Sequence, residues 1–231
     1  MSDVIVFDTH PYDADWWTSG LAILLKEINW NVNYVCVGPT TRPTKANANK
    51  SAKILGVERR FWEIPIIGND RFAGNLRKKV PAIMKELKAK MVFIPSFYDC
   101  HCVNVTLARE MLALFHWSSG LGLGGIEVYS YDSHENLWPV EIYVDVSKTW
   151  TKQKKALAMH ATFECAGIPD NSLIRVKQGR AQLLGASVPV APVEYAEGYR
   201  QLQADKKCIS SLPKLLPGQF YFRSPTGMLE M

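Results

Sequence analysis

The fold is decided by a stretch near the amino terminus, Val4-Ile5-Val6-Phe7-Asp8-Thr9-His10-Pro11-Tyr12-Asp13. Four apolar and mostly β-branched residues predict a short buried strand, which ends at a polar turn that contains a proline. From residue 13 to residue 28 the apolar side chains, among them Leu21, Leu24 and Leu25, recur at helical spacing. The stretch therefore predicts a strand that leads directly into a helix.

The same alternation of strand and helix continues through the first half of the chain. Apolar, β-branched runs predict strands at 33–37, 60–66 and 91–94, and helical periodicity predicts helices at 45–55, 72–87 and 103–115. Strands that alternate with helices imply right-handed crossovers and a mostly parallel sheet covered on both faces.

The pattern changes after the glycine-rich turn at 120–125. Two alternating runs, 126–131 and 140–146, predict later strands, and helices are expected at about 148–165 and 193–205, with a loop at 212–218 before a terminal extended piece. We therefore expect a single-domain, Rossmann-like α/β protein. Residues 1–118 would form its Rossmann-like half, and residues 119–231 the later strands and C-terminal helices.

Composition excludes several classes of protein. The chain has 231 residues, 47% of them hydrophobic and 21% charged, which is ordinary for one well-packed core. No apolar run approaches the ~18 residues of a membrane span, and the five cysteines are irregularly spaced. The net charge of +5 is spread along the chain, so a nucleic-acid partner is not expected. These features predict a cytoplasmic protein that acts on a small molecule, and they are compatible with a homo-oligomer.

Two polar junctions follow the first and fourth predicted strands, at residues 8–17 and 96–104. Ligands of open parallel sheets bind outside the carboxyl ends of the strands, so these junctions share one neighbourhood if the two strands are close. We expect the functional site there.

The first junction contains His10 and Asp13, three residues apart at a predicted helix start, a spacing suited to two ligands of one metal ion. Alternatively, Asp13 caps the helix and His10 forms hydrogen bonds within the loop. In the second junction His101 is a candidate metal ligand, general acid or exposed loop residue. Cys100 and Cys102 are discounted as ligands, because zinc ligands are usually separated by two or more residues.

Aromatic residues flank both junctions, namely Trp16, Trp17, Phe97 and Tyr98. Aromatic rings in a cleft stack on sugar rings or bases, but the same residues also serve as core. The remaining histidines, including His160, are expected in structural roles.

Together the junctions resemble the PIG-L/LmbE-like N-deacetylase family, whose first strand ends in His-Pro-Asp-Asp-Glu and whose fourth ends in Asp-x-His-Pro-Asp-His. Residues 52–57 look like the family's second helix, 91–93 lead without a gap into the second motif, and 138–147 look like a later strand. Residues 194–200 resemble the family's terminal Tyr-Ala-Glu-Gly-Phe helix. The resemblance implies metal-dependent removal of an acyl group from an amino sugar or a related amine.

The resemblance assigns roles to individual residues. It implies that His10 and Asp13 are metal ligands and that Asn104 stands at the third ligand position. Tyr12 stands where the family has its aspartate base, and His101 matches the histidine that assists the oxyanion and leaving group.

Further positions depart from the family pattern. Asp99 matches the aspartate before that histidine, and Asp15, if one inserted residue is allowed, matches the acid that ends the first motif; without the insertion the position is Ala14. The arginine and glutamate of the second helix are replaced by Lys45 and Asn47 at best.

Three hypotheses follow. The first is an amidohydrolase that uses Zn²⁺ or another divalent cation, with proton transfer by Asp15, Asp99 or His101 and substrate contacts from Trp16, Tyr98 and Lys45. The second is a metal-free protein that binds a sugar or nucleotide-like ligand, because an amide is a poorer zinc ligand than an imidazole. The third is a changed reaction on the same fold, since tyrosine, with an ordinary pKa of about 10, is a poor base but a good hydrogen-bond donor.

Overall fold

The computed structural model describes residues 3–66, 71–117, 121–132, 140–160, 172–189, 191–202 and 211–222. The strands in these ranges are β1 (Asp3–Asp8), β2 (Asn31–Cys36), β3 (Glu58–Phe61), β4 (Ala89–Ile94), β5 (Glu127–Tyr131), β6 (Ile142–Asp145), β7 (Ala196–Leu202) and β8 (Phe220–Phe222). The α-helices are α1 (Asp13–Glu27), α2 (Arg42–Leu55), α3 (Phe72–Leu87), α4 (Cys102–Trp117), α5 (Trp150–Leu157), α6 (Ser172–Ala186) and α7 (Leu212–Leu215).

The strands of the described ranges form one sheet in the order β3-β2-β1-β4-β5-β7-β6-β8. Strands β1 to β5 run parallel to one another, whereas β7 runs antiparallel to both β5 and β6, and β8 runs antiparallel to β6. The predicted single-domain α/β architecture with a mostly parallel sheet is therefore confirmed.

Both faces of the sheet are covered by apolar side chains. Because successive residues of a strand point to opposite faces, Val4 and Val6 join the core beneath α1 and α5, while Ile5 and Phe7 join the core beneath α3 and α4. All four residues are at most 2% exposed, so β1 is a central, fully covered strand. Within the described ranges, no helix is long and apolar enough to cross a lipid bilayer.

Several element boundaries match the sequence expectations. Helix α3 spans the predicted residues 72–87, and α2 ends at Gly56, whose φ of 82° is the left-handed conformation of a helix C-cap. Strand β3 begins at Glu58, two residues earlier than predicted, and ends at Phe61 rather than residue 66.

The second half of the chain requires corrections. The helix predicted at 193–205 is wrong, because residues 196–202 form β7, which pairs on one side with β5 and on the other with β6. Helix α6 was not predicted, and the short helix α7 lies within the predicted loop at 212–218. Helix α5 and the 3-10 turns beside it, spanning 147–160, occupy most of the helix predicted at 148–165, and residues 161–165 lie outside the described ranges.

A buried carboxylate connects β7 to the middle of α1. Glu197 is 2% exposed and accepts hydrogen bonds from the backbone N–H groups of Gly20 and Leu21, both at 2.9 Å. Lys177 of α6 forms an ion pair with the same carboxylate at 2.7 Å. Helices α1 and α6 and strand β7 therefore meet at the Glu197 carboxylate, whose buried oxygens accept hydrogen bonds from several donors.

Close packing at Gly20 gives a stability prediction. A Cβ atom there would lie 2.4 Å from Val146 Cγ1 and 2.8 Å from Gln153 Nε2. We expect Gly20→Ala to lower the free energy of unfolding by about 1–3 kcal/mol in urea titrations, because overpacking forces the core to shift. The matched control is Gly179→Ala in α6, where a Cβ meets no atom within 4 Å. An equal loss of stability in both variants would contradict the prediction.

Candidate functional site

The site lies where the strand order reverses. Strand β1 is followed by β2 and β3 on one side and has β4 and β5 on the other, so the carboxyl ends of β1 and β4 flank a topological switch point. The Thr9 hydroxyl, just after β1, contacts the side-chain oxygen of Asn104 in the first turn of α4. The two polar junctions therefore meet, as the sequence predicts.

Asp13 is fully buried at the start of α1. Its Oδ2 accepts hydrogen bonds from the His10 backbone N–H and from the Thr9 hydroxyl, both at 3.1 Å, and lies 3.1 Å from His10 Nδ1. The N-cap residue is Tyr12, whose side chain makes no capping hydrogen bond, and the first-turn N–H of Ala14 donates to Asp8 Oδ2 at 3.3 Å, so Asp13 does not have the capping role considered above. Its Oδ1 has no hydrogen-bond partner among the described residues.

Asp99 organises the second junction. Its Oδ1 accepts from the backbone N–H of His101 at 2.9 Å, and its Oδ2 accepts from Asn104 Nδ2 at 2.7 Å. This second bond orients the amide of Asn104, so that its carbonyl oxygen faces Thr9. The exposed ring of His101 meets the ring of His10 edge-on, with centroids 4.9 Å apart.

Three nitrogen and oxygen atoms surround the hydroxyl oxygen of Thr9. The chemistry of these four atoms determines whether the site suits a metal ion. Thr9 Oγ1 lies 3.0 Å from His10 Nδ1 and 3.1 Å from Asp13 Oδ2, and it contacts the oxygen of Asn104. The one proton of the hydroxyl can serve either Asp13 or Asn104 but not both, and His10 Nδ1 donates or accepts according to its tautomer. With Nδ1 unprotonated, these atoms and the unpartnered Oδ1 of Asp13 present lone pairs that fit a small cation.

The chemistry of the donors limits which cation fits. In the part of the chain that the structure describes, no three His, Cys, Asp or Glu side chains are grouped as a metal site requires. Only His10 and Asp13 supply the imidazole and carboxylate ligands common in zinc sites, and the neutral oxygens must complete the set. The three residues predicted as ligands are brought together, in an oxygen-rich arrangement.

The predicted substrate-binding aromatics differ in exposure. Tyr98 is 52% exposed and packs against Phe97, with ring centroids 4.3 Å apart. Trp16 is only 7% exposed and stacks on Trp17 at 5.1 Å, so it belongs mainly to the core. The half-buried ring of Tyr12 stacks on the ring of His10, with centroids 5.5 Å apart, and so lies beside the candidate ligands.

Lys45 lies at the surface in α2. Its ammonium group forms an ion pair with Glu63 at 2.8 Å and lies 5.4 Å from the centre of the Phe61 ring. Neither contact involves the His10 group, so the substrate contact of Lys45 stays a prediction.

A buried ion network beneath the turn was not predicted from the sequence. Arg59 of β3, with a side chain 1% exposed, binds Asp8 Oδ2 and Asp15 Oδ1, each at 2.8 Å. The other oxygen of Asp15 lies 2.6 Å from Nε2 of buried His160, and the guanidinium lies over the Tyr34 ring. Because both oxygens of Asp15 are engaged and buried, this environment argues against its predicted role in proton transfer.

Burial and neighbouring charges shift the pKa values of Asp8, Asp15 and His10. Burial raises the pKa of Asp8 to about 7, against the attraction of Arg59. Burial also acts to raise the pKa of Asp15, but Arg59 and His160 together hold it below its ordinary value. For His10, burial lowers the imidazole pKa, and the hydrogen bond and charge of Asp13 outweigh this, so the net shift is upward.

No protein-family profile matches the chain, and no curated protein is significantly similar to it in sequence. Solved structures are similar in fold. The hydratase GalB from Pseudomonas putida, which acts on 4-carboxy-2-hydroxymuconate, superimposes with a TM-score of 0.70 at 18% identity, over 91% of this chain and 100% of that one. N,N'-diacetylchitobiose deacetylase from Pyrococcus horikoshii gives 0.68 at 20% identity, over 93% and 88%.

A zinc-inhibited form of teicoplanin deacetylase gives a TM-score of 0.68 at 10% identity, over 90% of this chain and 100% of that one. The chain has a PIG-L/LmbE-like fold. At such low identities the PIG-L/LmbE-like likeness concerns the fold, and function must be argued from the side chains at the site.

Arg59 provides a second prediction. Replacement by methionine leaves Asp8 and Asp15 without their shared cation, and removing one partner of a buried ion pair typically costs about 3–5 kcal/mol. We expect Arg59→Met to lower the free energy of unfolding, measured by urea denaturation, by about 3–5 kcal/mol. The adjacent Arg60 pairs with Glu86 at the surface, where both side chains are more than a third exposed. Arg60→Met should cost less than about 1 kcal/mol, and equal losses would refute the assignment.

Proposed function

We propose that the protein is a divalent-cation-dependent amidohydrolase that removes an acyl group from an N-acyl amino sugar or a related amine. The observation that carries the proposal is the convergence of His10, Asp13 and Asn104 at the carboxyl ends of β1 and β4. Enzymes that act on N-acetylated sugars and glycopeptides share the fold.

His10, Asp13 and Asn104 would hold the cation. A divalent cation supplies two things to amide hydrolysis when bound: it polarises the carbonyl group and lowers the pKa of water. The buried carboxylate of Asp13 contributes the negative charge that favours a cation over a neutral ligand. The unpartnered Oδ1 of Asp13 is a further acceptor at this position.

His101 is the residue we assign to proton transfer. Imidazole is the side chain most often used as general acid or base, and His101 is exposed to solvent and has its ring adjacent to that of His10. It would take a proton from the attacking water and give one to the leaving amine. Asp99 is a positioning residue, since it holds the backbone of His101 and the amide of Asn104 at once.

Tyr12 and Tyr98 would bind the substrate. The ring of Tyr12 stacks on His10 beside the candidate ligands, and the exposed ring of Tyr98 follows β4 at the same edge of the sheet. Aromatic faces of this kind stack on the apolar faces of sugar rings. The Tyr12 hydroxyl would act as a hydrogen-bond donor rather than as a base.

A second candidate is a changed reaction in the same site. The similarity in fold to a hydratase favours it, because it shows that the fold also supports chemistry other than deacetylation. In that reaction Tyr12 would act as the acid and His101 as the base, with release of neither a carboxylic acid nor an amine.

The first test measures metal content and product together. Tag-free protein and a His10→Ala variant would be analysed by mass spectrometry for metals after exposure to Zn²⁺, Mn²⁺ or Mg²⁺, and then assayed for acetate release from N-acetylglucosamine conjugates. We expect about one cation per chain, lost in the variant together with hydrolysis. A His116→Ala variant, changed at an exposed position of α4, is the control. Wild-type protein that binds no cation would refute the proposal.

Variants of Tyr12 separate the two candidate reactions. Tyr12→Asp restores a carboxylate at the position of the family's base, and we expect the rate of acyl release to rise by about 10²-fold, within the range typical of general bases. Tyr12→Phe should reduce hydrolysis only modestly, since the ring remains. If wild-type protein consumes the substrate without releasing acid or amine, and Tyr12→Phe abolishes that consumption, the changed reaction is favoured.

A further inference from the structure

Thr9 has an unusual position for a threonine that only fills space. Thr9 is 1% exposed, and its hydroxyl contacts all three proposed ligand residues, His10, Asp13 and Asn104. The role of this residue is not accounted for by the proposed reaction.

The backbone of Thr9 is held firmly in place. The carbonyl of the preceding residue, Asp8, accepts a hydrogen bond from the N–H of Val37 at 2.8 Å. The Thr9 carbonyl accepts a hydrogen bond from the Cys36 thiol at 3.7 Å. Gly38 approaches the same carbonyl so closely that a Cβ there would lie 2.3 Å from it. The end of β2 therefore fixes the hydroxyl of Thr9 among the proposed ligands.

Proton counting indicates what the hydroxyl does there. Asn104 presents a carbonyl oxygen, because its amide nitrogen donates to Asp99, and Asp13 presents a carboxylate oxygen. A threonine hydroxyl can donate to only one of its neighbours and retains lone pairs for a cation. Threonine and serine hydroxyls bind Mg²⁺ in phosphate-binding loops, so this ligand type has precedent.

We infer that Thr9 is an additional cation ligand, and that Thr9 and Asn104 together lower the preference of the site for Zn²⁺ relative to Mn²⁺ or Mg²⁺. The inference rests on the proposed cation-dependent function and deepens it. Neutral oxygen donors suit harder cations, whereas imidazole suits Zn²⁺. A site with one imidazole, one carboxylate and two neutral oxygens is therefore shifted toward the harder ions.

The test measures metal affinity directly. Binding of Mn²⁺ to the full chain would be followed by the electron paramagnetic resonance signal of free Mn²⁺, with Zn²⁺ and Mg²⁺ as competitors. We expect Thr9→Val, which keeps the shape but removes the oxygen, to weaken Mn²⁺ binding by about 10-fold or more, and Thr9→Ser to restore it to within about threefold. The matched control is Thr18→Val, because Thr18 is also buried and its hydroxyl donates to Ala14 O at 2.7 Å and lies 3.1 Å from the Tyr34 hydroxyl.

A second variant tests selectivity without altering Thr9. Asn104→His supplies an imidazole in place of the amide oxygen, and we expect the ratio of Zn²⁺ to Mn²⁺ affinity to rise by about 10-fold or more. This measurement remains informative if Thr9→Val does not fold, which circular dichroism would show.

The outcomes separate this inference from the proposed function. If wild-type protein binds a cation and Thr9→Val binds it equally well, Thr9 is not a ligand and the hydrolase proposal stands. If Asn104→His leaves the ratio of Zn²⁺ affinity to Mn²⁺ affinity unchanged, the proposed effect of Asn104 on metal selectivity is refuted. If wild-type protein binds none of the three cations, the proposed function fails and the inference fails with it.

Discussion

The interaction on which the site depends is the bridge from Arg59 to Asp8 and Asp15. These carboxylates lie on either side of the turn that carries His10 and Asp13, and all three acids are fully buried. Without a cation among them, their mutual repulsion in a medium of low dielectric would oppose formation of the turn. Arg59 belongs to β3, at the edge of the sheet, whereas the turn that it stabilises follows the central strand β1. The candidate site at the centre of the sheet therefore depends on a residue from its edge.

The parts of the fold that depend on local pattern could be predicted from the sequence. Helix α3 has a clear apolar period and a following strand, so its bounds were predicted correctly. Strand β7 could not be predicted in the same way, because its residues include Ala196, Glu197 and Gly198, which are poor strand formers. Its conformation results from pairing with β5 and β6, which lie far away in sequence, and local propensity does not report such pairing.

The same distinction between local pattern and long-range contact applies to the candidate site. The order of the junctions was enough to predict that the turn after β1 and the turn after β4 meet, and the family resemblance named His10, Asp13 and Asn104 among the residues there. The contributions of Arg59 and His160 were missed because each reaches Asp15 from another element, 44 and 145 residues away. A usable signal was present, since two acids beside a buried turn require a counter-charge. Thr9 was missed because a threonine after a strand is also an ordinary turn residue.

The contact between Glu197 and α1 has a consequence for the order in which the protein forms. The carboxylate accepts the N–H of Gly20 across a separation of 177 residues, so the helix that begins at Asp13 lacks this contact until residue 197 has left the ribosome. Contacts of such long range slow folding, and residues 3–117 alone would expose the surface that β7 and α6 later cover. The helix that carries Asp13 therefore completes its packing only after β7 has been synthesised.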